Sequence, residues 1–142
     1  MDVEEAIRTM AVANKVSEVA AISDVRRKMV EQQQTMGQSK SVILDGRDIG
    51  TVVFPDAALK IFLTASPSER ARRRHAEMIS KGKNVPYAEV LENLKHRDHI
   101  DSSREDSPLK QAEDAIVVDN TNLTQAEQMA MVLALVNLRR AN

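Results

Sequence analysis

Three short apolar runs constrain this 142-residue chain more than any other feature. Ser41-Val42-Ile43-Leu44-Asp45 ends at Gly46. Leu59-Lys60-Ile61-Phe62-Leu63-Thr64 follows a Pro-Asp turn. Ala115-Ile116-Val117-Val118-Asp119 ends at an Asn-Thr-Asn loop. Each is brief, rich in β-branched residues and nearly continuous in hydrophobicity. Strands buried on both faces of a parallel sheet read this way, whereas half-exposed hairpin strands alternate.

Helical periodicity fills the rest. Val12, Val16, Val19 and Ala20 predict an amphipathic helix over 9–21. Ser23-Asp24 reads as the N-cap of a second helix that reaches Met36 and stops at Gly37. Its inner face carries Val25, Met29 and Gln33. Ser66-Pro67-Ser68-Glu69 is a capping box with proline at the first helical position, opening a helix to Lys81 before Gly82. Pro86 opens another, with Val90, Leu91, Leu94 and Ile100 on one side. Thr124-Gln125-Ala126-Glu127 is a second capping box, starting a helix that carries Met129, Val132, Leu133 and Val136. The order α-α-β-β-α-α-β-α predicts an α/β layered fold with a parallel sheet. Functional residues then collect at the carboxyl ends of the strands: Gly46–Asp48, Thr64–Ser66 and Asp119–Asn122.

Composition removes whole classes. Lys and Arg number 20 against 21 Asp and Glu, a net charge of −1, which excludes a nucleic-acid binder held by bulk charge. Without cysteine there is no disulfide, thiolate metal site or thiol nucleophile, and a reducing compartment is the natural setting. Phe54, Phe62 and Tyr87 are the only aromatics, so the core must be aliphatic. No apolar run approaches the roughly 18 residues of a membrane span, and the first residues carry no signal-peptide pattern, so a cytoplasmic location is expected.

The chemistry-bearing residues are mostly arginines and aspartates. Asp45-Gly46-Arg47-Asp48 directly follows a predicted strand. Arg47 offers a planar five-donor fork suited to phosphate or carboxylate, and Asp48 beside it accepts from an amino group or holds the arginine. The plainer reading is an Arg–Asp pair tying a loop to a helix. Arg97, Asp101 and Arg104 fall on one helical stripe, as an anion clamp or a solvated ion-paired face. Arg70, Arg72, Arg73 and Arg74 cluster where a helix macrodipole disfavours cations, which fits a bound anion, a nucleic-acid patch or an exposed helix with scattered acids. His96 and His99 lie near Asp98 and Asp101, but two histidines at i and i+3 without a third convincing ligand make a weak metal site, and they read as surface histidines. The four glycines build no Gly-x4-Gly-Lys-Ser/Thr loop.

The run from Asp45 to Ala57, Asp-Gly-Arg-Asp-Ile-Gly-Thr-Val-Val-Phe-Pro-Asp-Ala, closely resembles the signature of bacterial cytidylate kinases. The resemblance continues through Lys60–Ser66, Glu69-Arg70-Ala71, Arg97-Asp98, Asp101, Arg104 and Ser107-Pro108-Leu109. Ile7-Arg8-Thr9 with Val12-Ala13-Asn14 is similar to the entry into that family's helical CMP-binding region. Ala11 and Gln34 depart from it, standing where glutamate and arginine are usual.

The resemblance implies a partial P-loop nucleoside monophosphate kinase fold: 1–37 as the helical end of the CMP-binding region, 38–65 and 111–142 as core, and 66–110 as lid and following helix. It implies phosphoryl transfer from ATP, carried with Mg²⁺, to CMP or dCMP in pyrimidine nucleotide metabolism. Arg8 and Asp48 would read the cytosine, Arg47 and Arg104 would grip its phosphate and carry the catalysis, and Arg97 and Asp101 would hold the ribose side. Arg70, Arg74 and Arg73 would face ATP. The family's first strand, Walker A loop and Mg²⁺ ligands have no counterpart in these residues, so the resemblance covers the C-terminal two-thirds of such an enzyme. Its missing strand would lie between the 42–45 and 59–64 strands and leave two inner edges unpaired. The expectation is a chain inactive by itself and association-prone, a monomer when complete, with small-molecule partners and neither nucleic acid nor membrane. A non-catalytic nucleotide-binding remnant, or a related kinase using UMP or AMP, is the alternative.

Overall fold

Two of the three apolar runs pair. In the computed structural model, which describes residues 3, 6–38 and 41–141, β1 (Ile61–Thr64) and β2 (Ile116–Asp119) form a parallel ladder with Ile61 opposite Ile116 and Thr64 opposite Asp119. The Ile116 N–H donates to the Lys60 carbonyl at one end and the Asn120 N–H to that of Thr64 at the other. The connection between them carries two helices, as a parallel crossover requires.

The third run, 41–45, forms no strand, which corrects the expected three-stranded core. A strand exists only through its neighbour's hydrogen bonds. This run lies beside neither β1 nor β2 in the ladder, and Ile43 is 97% exposed. The sheet is also less covered than continuous hydrophobicity predicts: Leu63, Ile116 and Val117 are exposed, and Val118 is buried.

The predicted helix over 9–21 is two short ones, α1 (Met10–Ala13) and α2 (Val16–Ala20). Asn14 interrupts them, and its side chain accepts a 2.6 Å hydrogen bond from Asn93 on a later helix. An asparagine drawn into such a contact is a poor helix interior. α3 runs Ser23–Gly37 with Ile22, not Ser23, as N-cap. Its inward stripe is Arg26, Val30, Gln33 and Gly37; Gln33 faces in as predicted, whereas Val25 and Met29 are exposed and their neighbours Arg26 and Val30 take their place. Gly37 has a packing reason, because a Cβ there would stand 2.5 Å from the Phe54 ring.

α4 (Pro67–Ser80) starts as expected, with the Glu69 N–H donating to Ser66 Oγ at 3.2 Å. The reciprocal half of the box is absent. Glu69 instead accepts from Arg72 and Arg73, and the Ser66 N–H donates to Thr121 Oγ1 at 2.9 Å, stitching α4 to the loop after β2. Gly82, at φ +72°, ends the helix in a Schellman motif: the Lys83 N–H reaches the Met78 carbonyl and the Gly82 N–H that of Ile79. α5 (Tyr87–Ser103) packs back on α4 around Ala71, Met78 and Val90, with Tyr87 edge-on to His75. α6 (Gln125–Ala141) has the complete capping box, Thr124 and Glu127 each serving the other's backbone N–H. Val132 and Val136 face inward as predicted, while Met129 and Leu133 are exposed. Among the described residues no helix is long and apolar enough to cross a membrane.

Ion pairs along α4 give the fold an acid limit. Arg72 and Arg73 lower the Glu69 carboxyl from 4.5 to about 2, and Lys81 and Arg74 lower that of Glu77 to about 2. A carboxylate depressed on folding contributes stability above its unfolded value and loses it as pH falls toward its folded one. The melting temperature is therefore expected to hold from neutral pH to near 4.5, then fall toward pH 2. Glu69→Gln should flatten that decline, measured by circular dichroism melts across the window.

Candidate active site

The elements converge on one cluster of arginines around two buried aspartates. Asp48 follows the 41–45 run and begins a π-helical turn, Ile49–Val53. Its carbonyl accepts from the Val52 N–H at 2.9 Å and the Val53 N–H at 3.2 Å, which pins the turn. Its side chain is 3% exposed. Oδ1 accepts a 2.9 Å bond from Arg26 Nη2 on α3, and Oδ2 is buried without a partner. Gln34, about two turns of helix further along, donates to the Val53 carbonyl at 3.2 Å. α3 thus clamps the turn at both ends.

Asp101 lies in the last turn of α5 and is 4% exposed. It accepts from Arg47 Nε at 3.0 Å, and Arg104 Nη1 stands 3.6 Å from its other oxygen. The Arg47 side chain is 43% exposed, so the rest of its fork faces outward. Arg104 is buried, with Nε donating to the Ser107 carbonyl at 2.7 Å and Nη2 unpartnered. Arg97 makes no ion pair among the described residues, and its Nε is buried and unbonded. Burial, then the positive charges of Arg47 and Arg74, lowers its pKa. Burial and Arg26 do the same to Arg104, against the pull of Asp101 and Asp48.

The cluster holds four guanidiniums, Arg26, Arg47, Arg97 and Arg104, against two carboxylates. Arginine stays protonated at neutral pH, so the excess is two positive charges. Of the five buried side-chain polar atoms without a partner among the described residues, four belong to this cluster. Buried donors normally find partners. Donors of this kind, held around an excess of charge, suit a dianionic oxyanion.

The site residues named from the sequence divide between this cluster and other places. Arg47, Asp48, Arg97, Asp101 and Arg104 meet. Arg8 closes a 3-10 turn, Ala6–Arg8, and its side chain lies outside the described residues. Arg70 forks onto both Asp98 oxygens, at 3.0 and 2.5 Å. Arg73 bonds Glu69 and the Asn120 side chain and carbonyl, tying α4 to the loop after β2. Arg74 pairs with Glu77 at 2.8 Å, close enough to Arg97 to oppose its charge. Among the described residues no three histidine, aspartate or glutamate side chains gather as metal ligands.

Arg26 is the residue that sequence reasoning missed. Its signal was the stripe Arg26–Val30–Gln33–Gly37, which hydropathy hides because that face meets a carboxylate.

The sequence profile of the family described as Cytidylate kinase matches residues 1–138. This chain belongs to the cytidylate kinase family. A cytidylate kinase of Flavobacterium psychrophilum is 60% identical over 136 residues, 96% of this chain and 60% of that protein. One of Parabacteroides distasonis is 58% identical over 133 residues, covering 94% and 58%. One of Porphyromonas gingivalis is 51% identical over 133 residues, covering 93% and 58%. The chain therefore spans about three-fifths of the length of the curated cytidylate kinases it matches. The α/β architecture with a parallel sheet agrees with a partial nucleoside monophosphate kinase fold.

Proposed function

We propose that this chain is the acceptor-binding and lid part of a cytoplasmic enzyme that transfers the γ-phosphoryl group of ATP, carried with Mg²⁺, to CMP or dCMP. The observation that carries the reading is the excess of two guanidinium charges beside a buried aspartate with one free oxygen. A nucleoside monophosphate matches both features. Its phosphate dianion neutralises the excess, and an exocyclic amine of its base satisfies Asp48 Oδ2.

In this reading Arg26 holds the Asp48 carboxylate in place, and Arg8 donates to the ring carbonyl. Arg47 and Arg104 grip the phosphate, while Arg97 and Asp101 hold the ribose side. Arg74 lies nearest the acceptor arginines and serves ATP. Arg70 and Arg73 serve it on release of their present partners, as the lid over 66–110 closes. Phosphoryl transfer needs positioning and charge neutralisation more than a covalent group, which suits a site made of arginines. These 142 residues contain no glycine-rich phosphate loop, so no turnover is expected from them by themselves. Acceptor binding is the property to measure.

Titration calorimetry with CMP, and with UMP and inorganic phosphate as controls, tests the reading. Saturable binding with CMP preferred over UMP is expected. Asp48→Asn should lower CMP affinity roughly tenfold or more and erase the preference, because the amide presents a donor where the base amine needs an acceptor. Unchanged discrimination in that variant would reject the role of Asp48.

A further inference from the structure

Ser107 is the one described non-glycine residue with a positive φ, +51°. L residues rarely adopt this left-handed conformation, and they do so where surrounding contacts impose it. Two contacts are present. Arg104 Nε donates to the Ser107 carbonyl at 2.7 Å, and the Leu109 N–H donates to the Asp101 carbonyl at 2.6 Å. The segment after α5 therefore folds back onto the turn that carries Asp101 and Arg104.

The consequence falls on Arg104. Its guanidinium is planar, so fixing Nε at Ser107 and directing Nη1 to Asp101 determines where Nη2 points. Nη2 is buried without a partner, and Ser107 lines the same cleft as Arg26. We propose that Ser107 is a positioning residue: its left-handed backbone aims its carbonyl at Arg104 Nε and so presents Arg104 Nη2 to the bound anion. The proposal rests on the anion-site reading above. A fork oriented in advance loses less freedom on binding.

Ser107→Gly keeps the left-handed conformation accessible, whereas Ser107→Val, β-branched, resists it. The first readout is the arginine Nε–H region of a proton–nitrogen correlation spectrum, with the Arg104 resonance assigned by its loss in Arg104→Lys. The second is CMP titration. The expected result is a slowly exchanging Arg104 Nε–H in the parent and in Ser107→Gly, merging with the exposed arginines in Ser107→Val. CMP affinity should stay within about twofold in the glycine variant and fall about tenfold in the valine variant. Adding Ser107→Val to Arg104→Lys should cause no further fall.

An Arg104 Nε–H that exchanges like an exposed arginine in the parent overturns the proposal. So does a valine variant that keeps both resonance and affinity, or a glycine variant as impaired as valine. If the valine variant does not fold, the parent and glycine resonances decide. If the parent binds no CMP, the anion-site reading fails by itself, and the resonance pattern still tests whether Ser107 holds Arg104.

Discussion

Asp101→Ala is expected to lower the unfolding free energy by about 3–5 kcal/mol, the usual cost of removing one partner from a buried ion pair. Asp101 is the carboxylate between Arg47 and Arg104, and it opposes the charge of Arg97. Without it, Arg104 is buried with an unpaired fork and Arg97 loses its nearest compensation. A domain of this size has only about 5–15 kcal/mol of stability, so the loss is a large fraction. Urea unfolding read by circular dichroism measures it, and a shift below about 1 kcal/mol would mean that solvent already screens the pair. Inorganic phosphate or CMP should restore part of the lost stability, since a bound dianion neutralises the surplus of positive charge that the missing carboxylate deepens.

Arg97→Met is expected to act with opposite signs on stability and on binding. Arg97 is half-buried, without an ion pair among the described residues, and pressed by Arg47 and Arg74. Its charge costs the free protein desolvation and repulsion that the carboxylates of Asp101 and Asp98 offset only in part. Methionine fills much of the same volume without that charge, so the free chain should gain about 1 kcal/mol, the pattern of a site held in readiness for a ligand at the expense of stability. CMP affinity should drop about tenfold or more, because the proposed function sets Arg97 against the acceptor. Parallel melts and titrations decide it. A variant that is both less stable and weaker in binding would mark Arg97 as a structural residue.

Local rules carried far. The capping residues at Ser66 and Thr124, the proline at position 67 and the glycine at 82 place both ends of α4 and the start of α6, because caps and breakers act within a turn of where they stand. The crossover order of β1 and β2 follows from apolar runs separated by helices. The Arg47, Asp48, Arg97, Asp101 and Arg104 cluster was legible as residue types at loop and helix spacings, and the family was legible from the thirteen residues Asp45–Ala57.

What the sequence could not settle depended on partners distant along the chain. The 41–45 run has strand composition and no strand, because a ladder needs a neighbour and composition cannot supply one. Arg26 has no part in the apolar periodicity of α3, and only the fold sets it against Asp48, twenty-two positions away, and turns its stripe inward. Local hydrogen bonds and turn preferences are written residue by residue. Pairings between charges, and the decision of which face is buried, belong to the tertiary structure, since they follow from distances in space that spacing along the chain does not encode.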